Sequence, residues 1–145
     1  MTVLAIDPAV SKKIAYALLK DGTLKLYGKV EKVQDLTMLF NYHPDLVVTE
    51  KMYLSKNART YGQLSEEVGK IKLLCEIYDI RYRLIPPVTW KAHHGLLKKT
   101  AEFVKLIEDK IIEIVTKDKI TDPDIRSAVL IGICHIEQAR MEVVK

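Results

Sequence analysis

Cysteine is scarce in this chain, and the two that occur, Cys75 and Cys134, build neither a metal site nor a framework of bridges. Both fall in helical, mostly apolar stretches with no partner at metal-ligand spacing, and read as buried free thiols in a reducing compartment. No apolar run is long enough to cross a membrane, and the N-terminus lacks the layout of a signal peptide, so a cytoplasmic protein that spans no membrane is expected. No repeat, low-complexity tract or Pro/Gly-rich linker offers a place to divide the chain. A glycine-rich phosphate turn is missing too. After Asp7 come Pro8-Ala9-Val10-Ser11-Lys12-Lys13, which removes a nucleotide-binding reading.

Acidic residues are absent from two stretches. Between Ile80 and Ala101 there is no Asp or Glu, while Arg81, Arg83, Lys91, Lys98 and Lys99 are present beside His93 and His94. Lys51 to Ser65 is likewise free of acids and carries Lys51, Lys56 and Arg59. The net charge of +4 (23 − 19) is mild, so this clustering, rather than the total, points to one positive face. At 145 residues and 48% apolar composition, the chain is sized for one compact domain, residues 1–145.

Hydropathy patterning gives an α/β order. Val3-Leu4-Ala5-Ile6 is a short apolar run typical of a strand covered on both faces, and it stops at Asp7-Pro8. Ile14 to Leu19 forms a second strand. Asp21-Gly22 is a strong hairpin turn into a third, Thr23 to Val30. A short helix is expected over 33–41, then a buried strand Leu46-Val47-Val48-Thr49 ending in Glu50. From Ala58 to Tyr78 apolar positions recur at helical spacing. Tyr82 to Ile85 is a strand, and Thr89 to Leu97 and Lys98 to Val115 read as helices. A last helix beginning at Thr121 is apolar on almost every face from Ile125 to Cys134. The expectation is a five-stranded mixed sheet, an antiparallel hairpin plus parallel strands, flanked by helices.

Asp7 and Glu50 each end a short apolar strand, and the carboxyl edge of an open α/β sheet is where catalytic groups gather. On neighbouring strands ~4.8 Å apart, both carboxylates reach one or two divalent ions. Mg²⁺ takes a few carboxylates plus waters, and a pair of such ions stabilises the attacking and leaving oxygens of a phosphodiester. The competing reading makes Asp7 a turn residue before Pro8 and Glu50 a solvated strand end. A third acid comes from Thr121-Asp122-Pro123-Asp124, which also reads as a helix start with Thr121 at the N-cap and Asp124 as the capping-box acid. His93-His94 invites a metal reading, but adjacent helical residues point apart and no third ligand has suitable spacing. Trp90 reads as a core or loop-anchoring residue rather than a base stacker, and His135 as a core histidine.

Three segments together resemble the motifs of the RuvC group of Holliday-junction resolvases, within the ribonuclease H-like fold. Ile6-Asp7-Pro8 with Ile14-Ala15-Tyr16 is similar to the first. Pro44-Asp45-Leu46-Val47-Val48-Thr49-Glu50, continuing through Met52-Tyr53 and Ser55-Lys56-Asn57-Ala58, is similar to the second. Asp124-Ile125-Arg126-Ser127-Ala128 is similar to the last. The likeness runs in order along nearly the whole chain. It departs at Ala9, where the family has Gly, and at Ser127, where the family has a second acid.

The resemblance implies an endonuclease resolving four-way DNA junctions in recombination and repair, with Asp7, Glu50 and Asp124 as catalytic metal ligands. Mg²⁺ is the implied cofactor, with Mn²⁺ substituting. Tyr53 falls where the family places an aromatic at the junction centre, and Lys91, Lys98 and Lys99 fall in the region where the family uses lysines around the scissile phosphate. Lys56, Asn57 and Arg59, near the start of the long helix, read either as phosphate contacts or as solvated surface residues. A homodimer is implied, with the helix from Ala58 at its interface. The single acid near Ser127 leaves two alternatives: a YqgF-like nuclease acting on RNA, and a catalytically weak nucleic-acid-binding member of the fold.

Overall fold

The structure, a computed structural model, describes residues 1–52 and 58–144. Five strands, β1 (Thr2–Asp7), β2 (Ile14–Lys20), β3 (Thr23–Val30), β4 (Leu46–Glu50) and β5 (Arg81–Ile85), form one sheet in the order β3-β2-β1-β4-β5. β1 is antiparallel to β2 and parallel to β4, and β5 is parallel to β4. The β2–β3 hairpin turns on Asp21 and Gly22, both at positive φ (52° and 81°), the conformation that two-residue hairpin loops require. The helices are α1 (Ala58–Ile77), α2 (Pro87–His93), α3 (Ala101–Val115) and α4 (Pro123–Val144). Among the described residues no helix is long and apolar enough to cross a membrane.

The expected order of elements is realised, with several boundaries moved. Residues Val33–Tyr42 wind as a 3₁₀ helix. Helix α2 starts at Pro87, two residues before the expected Thr89, since proline at the first helical position has no N–H to leave unpaired. Residues 98–100 are not helical: Lys98 sits at φ 60°, and Thr100 caps α3 by accepting from Phe103 N at 3.2 Å.

Strand alternation divides the side chains into two layers. Leu4, Ile6, Tyr16, Leu18 and Val47 point to one face, where Leu36, Leu39, Phe40, Ile71 and Cys75 of the 3₁₀ helix and α1 cover them. Val3, Val48, Ala15, Ala17 and Leu19 point to the other, beneath α4 with α2 and α3 beside it. Helix α4 lies across β1 and β2, and its approach depends on Gly132. A Cβ there would overlap the Leu19 side chain and stand 3.1 Å from the Ala5 Cβ. That close seat sets how the N-terminal end of α4 stands over the end of β1. Cys75 and Cys134 are both buried and unbridged.

Candidate active site

Register brings the first two acids together. Val3 pairs with Leu46 and Ile6 with Thr49, so Asp7 and Glu50 follow on the next rung of two parallel neighbours. They share the phase of Val3 and Val48, so both point to the α4 face. The third acid is delivered by α4, whose first turn holds Asp124. Asp7 records the crowding: burial first, then the charges of Glu50 and Asp124, push its carboxyl up to about 7, against a lowering pull from Lys12 and Lys29.

Each neighbour is held by a specific partner. Trp90, buried in α2, donates its indole N–H to Glu50 Oε2 at 2.7 Å. Burial raises the Glu50 carboxyl above its ordinary range, and that bond together with the charge of Lys91 offsets part of the rise. Lys91 extends over the Trp90 ring, 5.5 Å from its centroid. Asp124 accepts from Lys12 at 2.8 Å and Lys29 at 3.4 Å, and Lys29 also binds Asp122 at 2.7 Å.

The start of α4 differs from the sequence expectation. Asp122, not Thr121, caps the helix: its Oδ1 accepts from Asp124 N at 2.9 Å and Ile125 N at 3.2 Å. Asp124 is therefore not a capping-box acid, and its carboxylate is directed to the two lysines. Burial works against a charged Asp122, but the Lys29 bond and the two backbone N–H groups outweigh it and hold its pKa below the usual range. Ser127 spends its hydroxyl on Pro123 O at 3.0 Å, a back-bond within the helix. Arg126, almost fully buried, bridges to Glu108 at 3.1 Å and Asp109 at 2.8 Å and donates to Ile120 O. It thereby ties the first turn of α4 to α3 and fixes where Asp124 stands.

The other expected residues are dispersed. Arg59 lies exposed in the first turn of α1, and Lys98 and Lys99 are exposed between α2 and α3, Lys99 over the Phe103 ring. Among the described residues neither Lys98 nor Lys99 pairs with an acid. Tyr53, Lys56 and Asn57 lie outside the described residues. Arg83, counted in the positive stretch, turns inward to His135 Nδ1 (2.8 Å) and Gln138 (2.6 Å), so it does not belong to a DNA-facing surface.

Lys12, Lys29 and the indole of Trp90 are contributors that sequence reading missed. Lys29 was hidden by a β-bulge. Counting outward from the Asp21-Gly22 turn puts Gly28 opposite Ala15 and Lys29 on the far face, but the register shifts between Leu18 and Leu19 and places Lys29 opposite Ala15, which itself pairs with Asp7. His93 and His94 were expected to diverge; instead their rings meet edge-to-face with centroids 5.0 Å apart, because His94 lies just past the end of α2.

The chain matches no family model. The crossover junction endodeoxyribonuclease RuvC of Caldicellulosiruptor saccharolyticus is 26% identical over 159 residues, covering 94% of this chain and 92% of its own. Among solved structures, Thermus thermophilus RuvC in complex with Holliday junction substrate is similar with a TM-score of 0.76 at 16% identity, covering 97% of this chain and 96% of that one. The fowlpox virus resolvase, in complex with substrate Holliday junction DNA, gives a TM-score of 0.62 at 18% identity, with coverage of 96% and 99%. The yeast mitochondrial Holliday junction resolvase gives 0.61 at 16%, with coverage of 97% and 80%. The chain has the ribonuclease H-like fold of these resolvases and is RuvC-like in sequence along nearly its whole length.

Proposed function

We propose that this protein is a structure-selective endonuclease that resolves four-way DNA junctions in recombination and repair, by metal-dependent phosphodiester hydrolysis at Asp7, Glu50 and Asp124. The observation that carries this is the meeting of acids from β1, β4 and α4: beyond its burial, Asp7 feels the charges of both Glu50 and Asp124, and its carboxyl is pushed up to about 7. Carboxylates drawn together at the carboxyl edge of an open sheet, with a perturbed pKa among them, are the arrangement that catalytic and cation sites use.

The donor set fits a hard divalent ion. It is made of carboxylates without thiol or imidazole, and the Asp7 proton is held by burial and by its neighbours' negative charge, both of which a cation relieves. Mg²⁺, or Mn²⁺ in its place, held by Asp7, Glu50 and Asp124, would supply an activated water and charge stabilisation at the leaving oxygen.

The chain's own residues prepare the site. Trp90 holds the Glu50 carboxylate in one orientation while keeping one face of it dry. Lys12 and Lys29 offset the acids' mutual repulsion and tether the Asp124 carboxylate through their two ion pairs. Lys91, beside Glu50, offers a mobile cation to an incoming phosphate. The exposed Arg59, Lys98 and Lys99 contact the DNA backbone, whose recognition is dominated by phosphate contacts, and the same role is proposed for Lys56 and Asn57. Tyr53 stacks on an unpaired base at the junction centre.

Two symmetric cuts in one junction need two such sites, so the active form is a two-fold dimer. The exposed Leu73 and Ile77 of α1, with Tyr78 just beyond it, support an interface on that helix. Its opposite face buries Val68, Ile71 and Cys75. The two buried free thiols agree with action in the cytoplasm.

The test offers a labelled four-way junction, linear duplex and structured RNA to the protein in Mg²⁺. Preferential, paired cleavage of the junction is expected. Cleavage of the RNA with the junction left whole would replace this reading with RNA processing, and junction binding without cleavage of any substrate would reduce the protein to a binding module.

A further inference from the structure

At the opposite end of α4 from the carboxylates, His93, His94 and Glu137 each bring a donor atom within 4.8 Å of the others. We propose that these three residues form a second metal site, selective for a transition ion of the Zn²⁺ class, which fastens the end of α2 to α4.

The two imidazoles arise from one chain reversal. α2 ends at His93, and His94 lies in the bridge region (φ −89°, ψ 2°) before Gly95 at φ 73°. Leaving the helix turns the second ring back toward the first. Glu137 arrives from α4, more than forty residues on, with Oε2 3.7 Å from His93 Nε2. This separation is why spacing in the sequence concealed the third ligand.

The chemistry of the two rings favours a metal over a simple ion pair. His94 Nε2 lies 2.7 Å from Leu130 O. A carbonyl only accepts, so Nε2 carries the hydrogen and the lone pair is left on Nδ1. Metal-binding histidines are commonly held in this way, one nitrogen donating to a backbone carbonyl while the other is presented to the ion. Two imidazoles and one carboxylate suit Zn²⁺, with solvent completing the shell, and suit Mg²⁺ poorly. The flanking groove, about 520 Å³, is walled largely by isoleucines, among them Ile107, Ile111, Ile133 and Ile136. Its charged and imidazole side chains are His93, His94, Glu137 and Arg140, the last with its guanidinium beside Gly22.

This site is separate from the one proposed for cleavage. Glu137 follows Asp124 by thirteen positions on a continuous helix, a distance of roughly 20 Å at the helical rise. Its consequence still reaches the carboxylates mechanically, because α2 also carries Trp90, the donor to Glu50. A bound ion would hold α2 against α4 and steady that bond.

The experiment titrates the chelator-treated protein with Co²⁺ followed by Zn²⁺, reading the visible Co²⁺ bands and the melting temperature, with excess Mg²⁺ present to occupy the carboxylates. The expected result is one micromolar site per chain, with Co²⁺ displaced by one equivalent of Zn²⁺ and a metal-dependent rise in melting temperature. Glu137→Gln and His94→Gln should each weaken binding by more than about tenfold, whereas His43→Asn and Asp7→Asn leave it unchanged. Glu137 is solvent-facing, so its variant keeps the test open should the His94 variant fold poorly. Absence of saturable binding, affinity indifferent to Glu137→Gln, or affinity lost in Asp7→Asn would each overturn the proposal.

Discussion

Asparagine at position 7 keeps the size and polarity of the protonated carboxyl and removes only its ability to become charged. In the folded protein the Asp7 pKa is raised from 3.8 to about 7, by burial first and then by Glu50 and Asp124. An acid raised on folding binds its proton more tightly in the native state, so below about pH 4 both states are protonated and the aspartate costs nothing. As the pH climbs from the unfolded value to the folded one, the unfolded chain releases a proton that the native state keeps, and stability is lost across that window until both states are ionised. Three units at 1.36 kcal/mol each set a ceiling of about 4 kcal/mol by pH 8, and partial solvation trims this to roughly 2–4 kcal/mol. Asp7→Asn should therefore raise the melting temperature of the chelator-treated protein by roughly 6–15 °C at pH 8 and by almost nothing at pH 4. Thermal unfolding of both proteins across that range is the assay. Added Mg²⁺ should stabilise wild type and narrow the gap. A variant less stable than wild type at pH 8, or a difference independent of pH, would refute the claim that Asp7 sits in an electrostatically crowded site.

Other substitutions separate the neighbouring roles. Asp124→Asn should abolish cleavage as fully as Asp7→Asn. Asp122→Asn, which retains a capping side chain but loses the ion pair to Lys29, should cost ~1 kcal/mol or less in unfolding experiments and leave most of the activity. Trp90→Phe removes the N–H that Glu50 accepts; junction cleavage titrated with Mg²⁺ should then need several-fold more metal, and an unchanged metal requirement would argue against that positioning role. Gly132→Ala forces α4 off Leu19 and Ala5 and should destabilise by about 1–3 kcal/mol in denaturant unfolding, with cleavage falling alongside. Tyr53→Ala should slow junction cleavage far more than binding, while Tyr53→Phe keeps the stacking ring and stays near wild type.

The parts of this fold that could be read in advance are those that one segment determines. Two apolar runs ending in acids located β1, β4 and the pair Asp7–Glu50, and Asp21-Gly22 located the hairpin. The unbroken apolar stretch of α4 announced a helix pressed on the sheet. What escaped depended on two segments at once. Lys29 reaches the acids only because a bulge shifts its register. Trp90 reads as core in its own helix, and its bond to Glu50 exists because Ile85, at the end of β5, lies beside Glu50 and α2 follows directly. The cap at Asp122 was misassigned to Thr121 by one residue, which also obscured that Asp124 is released from capping. Glu137 joins His93 and His94 through tertiary packing alone.

Single-turnover cleavage of a labelled four-way junction in Mg²⁺, by wild type, Asp7→Asn and Asp124→Asn with enzyme in excess, tests the carboxylate site most directly. The expected result is paired, symmetric nicks by wild type, and rates lower by at least about a hundredfold for both variants, each still retarding the junction in a gel. Retention of a tenth of the wild-type rate by either variant, with contaminating nuclease excluded, would contradict it.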